Sequence, residues 1–181
     1  EVNPDLPVAH NYYTYFELEE LGDAPAAMAR LLRRVRARPN DPDLFAGLVA
    51  ACRFGGLYHA STAAHQRARR LDPAIPTSIA YTNWFLRDYQ QVAEDPNVPF
   101  EHMTWLARWR LGDRDGAVAH FLELSRRLEG HERDMAAAAA AGLQGDRERC
   151  VAASLQYSRM PVFEPESSNL WAGQLAKVGT R

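Results

Sequence analysis

The chain is predicted to be all-α, assembled from repeated helix-turn-helix units, and three observations predict it. A glycine recurs at a near-constant interval: Gly22 and Gly56 are 34 residues apart, Gly112 and Gly145 are 33 apart, and Gly179 follows Gly145 by 34. Pro39 and Pro73 keep the same spacing of 34. Between these marks the apolar residues follow a helical period. Met28, Leu31, Leu32 and Val35 form one stripe, Ala117, Phe121, Leu124 and Leu128 a second, and Trp171, Leu175 and Val178 a third. No stretch alternates apolar and polar residues long enough to make a strand.

Each mark has a physical task. Glycine after an apolar helical stretch suits a helix end, where positive φ is wanted. An aspartate directly after it can accept from the unpaired N–H groups of the next helix. Proline beyond the second helix stops it, because it cannot continue the hydrogen-bond ladder. The first unit, residues 8–41, carries Gly22-Asp23, Ala27 and Pro39. The second, 42–75, carries Phe45, Leu48, Gly56-Leu57-Tyr58, Ala68 and Leu71-Asp72-Pro73. The fourth, 98–130, carries Gly112-Asp113, Ala117 and Phe121, and the fifth, 131–164, carries Gly145-Asp146. A terminal helix is predicted over 165–179, and its Trp171, Leu175 and Val178 suit it to cover the fifth unit.

The third unit, 76–97, is shortened. Its turn is placed at Arg87-Asp88-Tyr89 and its stop at Asp95-Pro96-Asn97, so Pro73 and Pro96 are 23 residues apart and 11 residues are missing. Eleven residues make about three helical turns, which keeps the remaining apolar faces in phase. The second helix of this unit is predicted to be a stub of about two turns that leaves the outer layer thin. The stretch 94–99 is read as a tolerated irregularity rather than a hinge. Val2-Asn3-Pro4 looks like the closing signature Leu71-Asp72-Pro73, from which the chain is expected to be a segment of a longer protein.

On these residues the chain resembles the tetratricopeptide-repeat (TPR) family, whose unit is a pair of helices repeating at this interval. It departs from the family pattern at Arg34 and Cys150, where small residues are usual. The resemblance implies a right-handed α-solenoid of about five units. It also implies a concave face, lined by the first helix of each unit, that takes up a protein or peptide segment. By register the groove residues are Tyr12, Tyr13 and Phe16 in unit one and Arg53 beside the small Ala46, Gly47 and Ala50 in unit two. Unit three contributes Tyr81, Trp84 and Phe85, and unit four contributes His102, Trp109 and Arg110 with Leu106. Large aromatics beside arginine have the composition of binding hot spots. The lysines and asparagines with which some TPR modules hold a terminal carboxylate are missing, since Tyr12, Phe16, Asp43 and Gly47 stand in their places.

Composition narrows the function classes. In 181 residues, 46% are hydrophobic and 24% charged, as in a chain that folds. The 21 basic and 23 acidic residues nearly balance, so neither nucleic acid nor a membrane surface exerts a long-range pull. Of the basic residues only Lys177 is a lysine. Arg30, Arg33, Arg34, Arg36 and Arg38, with Arg67, Arg69 and Arg70, are expected to form a solvated outer strip; it lacks the interleaved aromatics of a nucleic-acid site. There is no apolar run long enough for a membrane span and no basic-then-apolar leader, which places the expected location in the cytoplasm.

No catalytic or cofactor motif appears. The six histidines form no HExxH and no ligand-spaced cluster, so no metal is expected. Cys52 and Cys150 are read as buried structural thiols. Gly55-Gly56 lacks the lysine of a phosphate-binding loop, and the alanine run 136–141 reads as close helix packing. The expectation is therefore a non-enzymatic interaction scaffold without cofactors. The alternative is a regulatory region similar to the repeat tails of bacterial Ser/Thr kinases or nucleotide cyclases, on the flavour of Arg133-Asp134-Met135, Gly145-Asp146 and residues 169–179.

Overall fold

The computed structural model describes residues 13–95 and 101–157, and every regular element among them is helical. Tyr12, the 94–99 stretch beyond Asp95 and the terminal helix expected over 165–179 lie outside the described residues. The chain divides into two compact bodies, Glu1–Pro99 and Phe100–Arg181.

The first body runs α1 (Phe16–Glu20), α2 (Ala24–Ala37), α3 (Pro42–Phe54), α4 (Tyr58–Leu71), α5 (Ile79–Phe85) and α6 (Tyr89–Glu94). Each helix packs on the next, and α3 also reaches α5. The second body runs α7 (Glu101–Arg110), α8 (Arg114–Arg127), α9 (Gly130–Leu143) and α10 (Arg147–Tyr157), again each against the next.

One turn design joins α3 to α4, α5 to α6, α7 to α8 and α9 to α10. The backbone N–H three residues past each first helix donates back to a carbonyl five residues earlier: Leu57 to Cys52, Asp88 to Asn83, Asp113 to Arg108 and Asp146 to Ala141. Such a closure needs the intervening residue in the left-handed region, and Gly56, Gly112 and Gly145 supply φ of 73°, 110° and 96°. The aspartates then cap as expected. Asp23, Asp88, Asp113 and Asp146 accept from the N–H of Ala26, Gln91, Gly116 and Arg149, each cap being worth about 1 kcal/mol. The α1–α2 turn differs because α1 is wound as a π-helix: Leu21 N–H donates to Phe16 O and Asp23 N–H to Glu17 O, one residue longer than in the other turns.

In the third turn a side chain occupies the left-handed position, Arg87 at φ 62°. A non-glycine residue there is strained by about 1 kcal/mol, and Arg87 is exposed. Arg87→Gly is expected to raise the stability of the chain by about 1 kcal/mol, read as a higher urea midpoint with an unchanged slope.

Burial explains the helix faces. In α2 the inward residues are Ala24, Ala27 and Leu31. Met28 and Val35 pack at the margin, while Leu32 of the predicted stripe is 51% exposed. At 100° per residue Leu32 points away from the face that Leu31 buries. Helix α3 has no polar side over most of its length: Leu44 and all residues from Gly47 to Arg53 are buried. Its neighbours α2, α4 and α5 close around it, and each fully buried leucine or valine contributes about 1.5–3 kcal/mol. A polar knot fastens this core. The Ser61 hydroxyl of α4 donates to Val49 O of α3 at 2.7 Å and lies 2.8 Å from the Thr82 hydroxyl of α5, all buried.

In the second body, Ala136 and Ala138–Ala141 of α9 are buried. Small side chains let neighbouring axes approach closely, so the alanine run does pack. Cys52 and Cys150 are both buried thiols. Burial pushes each thiol pKa up, with Asp146 adding to the rise at Cys150, which makes both poor nucleophiles.

Candidate functional site

Of the ten residues marked in the sequence, the nine that are described separate into surface, core and cluster. Tyr13 and Phe16 stand on the surface, 49% and 47% exposed. Their rings stack with centroids 6.1 Å apart, and the Arg30 guanidinium of α2 lies 5.0 Å above Tyr13. Arg30 is held in that place from below. Its Nε and Nη2 donate to the buried Glu17 carboxylate at 2.9 and 2.7 Å, and Nη2 donates to Thr14 Oγ1 at 2.7 Å. An aromatic pair is therefore presented on a rigid, charge-locked base. Phe85 is exposed as well and stacks on Tyr58 at 5.7 Å.

Three of the marked residues sit in the core instead. Arg53 is 3% exposed. Its Nη1 donates to Ser78 O and Oγ at 3.0 and 2.9 Å, and its guanidinium lies over the Tyr81 and Phe54 rings. It staples the end of α3 to the start of α5. Tyr81 is buried beneath it. Trp84, 4% exposed, meets Tyr89 edge to face at 5.1 Å, which packs α5 on α6. Gly47 and Ala50 are also buried.

In the second body His102, Trp109 and Arg110 on α7 are all half-buried. Arg110 and Arg114 lie 5.3 and 5.5 Å from the Trp109 ring, one from each side of the α7–α8 turn. Sequence reasoning passed over Trp105, Arg108 and His120, which complete this cluster. Trp105 stacks on His120 at 4.7 Å, and Arg108 covers the Trp105 ring at 4.6 Å. The three-residue spacing of Trp105 and Arg108, which puts them on one helical face, is the signal that would have found the pair. Burial, reinforced by the charge of His120, lowers the His102 pKa to about 3.

The predicted basic strip is partly spent on internal bonds. Arg67 donates to Pro39 O and Asn40 Oδ1 and covers the Phe45 ring, while Arg69 donates to Pro73 O. Where the third unit is shortened, α4, α5 and the six-residue α6 enclose a polar cleft of about 700 Å³. On its α4 wall His65 Nδ1 lies 2.7 Å from the Thr77 hydroxyl. Burial, then Arg69, lower the His65 pKa, with Asp95 opposing them.

Among the described residues no group of three or more His, Cys, Asp or Glu side chains is gathered that could hold a metal ion. No described helix is long and apolar enough to cross a membrane. Set against family profiles, curated proteins and solved structures, the chain has no match.

Proposed function

We propose that the chain is a cytoplasmic, non-catalytic interaction scaffold of TPR-like helix pairs, of the right-handed α-solenoid kind, which takes up a protein or peptide segment on exposed aromatic and arginine side chains. The observation that carries the reading is the stacked Tyr13–Phe16 pair beneath Arg30. Two large rings left about half-exposed forgo part of the about 1.5–3 kcal/mol each that full burial against a partner's apolar side chain would give. Aromatic and arginine side chains are the groups that dominate interface energies. The recurring left-handed turn and aspartate cap, at the 34-residue interval, support the repeat assignment. Buried thiols without a disulfide framework agree with a reducing compartment.

The test is a double change, Tyr13→Ala with Phe16→Ala. Both side chains are exposed, so the melting temperature is expected to hold. Affinity for a protein captured specifically from cell extract is expected to fall about tenfold or more. Capture that survives the double change unaltered refutes this placement of the site.

A further inference from the structure

The cleft under the shortened third unit offers a different chemistry from the aromatic pair. Helix α4 has fourteen residues and α6 only six, and residues of both line the cleft. The space left open is bounded by Gln66 and Arg69 of α4, Asn83 of α5, and Gln91, Glu94 and Asp95 at the α6 side. Three side-chain amides from three helices thus converge on one cavity. None of the amides of Gln66, Asn83 and Gln91 is hydrogen-bonded to another described residue.

A primary amide presents a donor and an acceptor side by side, as a peptide unit does, and the two pair in register. Three such groups therefore match the alternating N–H and C=O of an extended backbone. Free polyamines carry donors only and would leave the amide N–H groups unused. No Phe, Tyr or Trp lines the walls, and the one ring there, the His65 imidazole, is tied to the Thr77 hydroxyl, so a sugar or base lacks a broad stacking platform. Charge selects the side chain. Asp88, Glu94 and Asp95 stand against the single guanidinium of Arg69, and the field in the cleft attracts a cation.

We infer that this cleft binds an extended peptide segment bearing an arginine or lysine: the amides of Gln66, Asn83 and Gln91 hold its backbone, and the carboxylates at the α6 end receive its cation. The site is separate from the Tyr13–Phe16 pair, and the inference does not depend on the reading of that pair.

The experiment titrates the full chain, ¹⁵N-labelled, with two pools of acetylated, amidated tetrapeptides that differ only in carrying arginine or glutamate at the second position. Spermidine is titrated as a cation without a peptide backbone. The arginine pool is expected to shift the side-chain amide signals of Gln66, Asn83 and Gln91, binding about tenfold or more tighter than either the glutamate pool or spermidine. Gln66→Ala with Gln91→Ala, both at exposed positions, is expected to remove that binding with melting unchanged, while Tyr13→Ala leaves it intact. Equal binding by spermidine would show a general cation site and overturn the proposal. Equal binding by the glutamate pool, or no shift at the three amides with any pool, would overturn it as well.

Discussion

Trp84→Ala is expected to destabilise the first body by about 3–5 kcal/mol, the range for truncating a buried large aromatic. The ring is almost wholly enclosed and contacts Tyr89 edge to face. It also belongs to the shortest helix pair of the body, α5 with seven residues and α6 with six. Neither is long enough to persist alone in water, so side-chain packing has to supply what the backbone ladder cannot. Total stability of a domain is about 5–15 kcal/mol, and the loss takes a large share of it. Urea unfolding followed by circular dichroism reads the change directly. Tyr13→Ala, at an exposed ring, is expected to stay within about 0.5 kcal/mol of the parent. An alanine at 84 as harmless as one at 13 would mean that Trp84 is not a packing residue.

The second large effect is one of acidity. His102 has its pKa lowered to about 3 by burial and by His120, against about 6.5 in an unfolded chain. Between those values the unfolded state binds the proton and the folded state refuses it. Stability is therefore intact above about pH 6.5 and declines as pH falls toward 3. Between pH 7 and pH 5 the expected loss is about 2 kcal/mol from this one side chain. His102→Leu removes the titrating group and is expected to flatten the pH dependence by that amount, even where the substitution itself changes stability at pH 7. Urea midpoints of both proteins at the two pH values check it; parallel curves would refute the assignment.

What could be read from residue order was local. The left-handed glycines, the aspartate caps and the stub at α6 depend on a few neighbouring residues, and they stand where the spacing put them. Arg87 even takes the glycine position of its turn, at the expense of strain. Which face turns inward was harder. Periodicity groups Tyr81, Trp84 and Phe85 on neighbouring positions, but the sequence period does not say that the first two are covered and the third is not. That outcome is set by α4 and α6, which pack on α5 from other parts of the chain. Arg53 misled for a related reason: a cation usually marks a surface, and here Ser78 and two rings compensate its burial. The π-winding of α1 adds a residue to its last turn and shifts the register around Phe16 in a way no apolar pattern announces. The thin outer layer at the third unit followed from the missing residues, yet the meeting of three amides there needed coordinates, since they come from positions 66, 83 and 91.

Helix α3, enclosed on nearly every side, has a consequence for how the protein is made. As the nascent chain leaves the ribosome, α3 emerges before the α4 and α5 surfaces that will cover it. Until α4 has been added, Leu44, Leu48 and Val49 have only α2 for shelter, and the side that α5 covers stays open until residues near Phe85 follow. This is the interval in which the growing polypeptide shows its greasiest segment to the cell, and the point at which a holdase would most readily grip it.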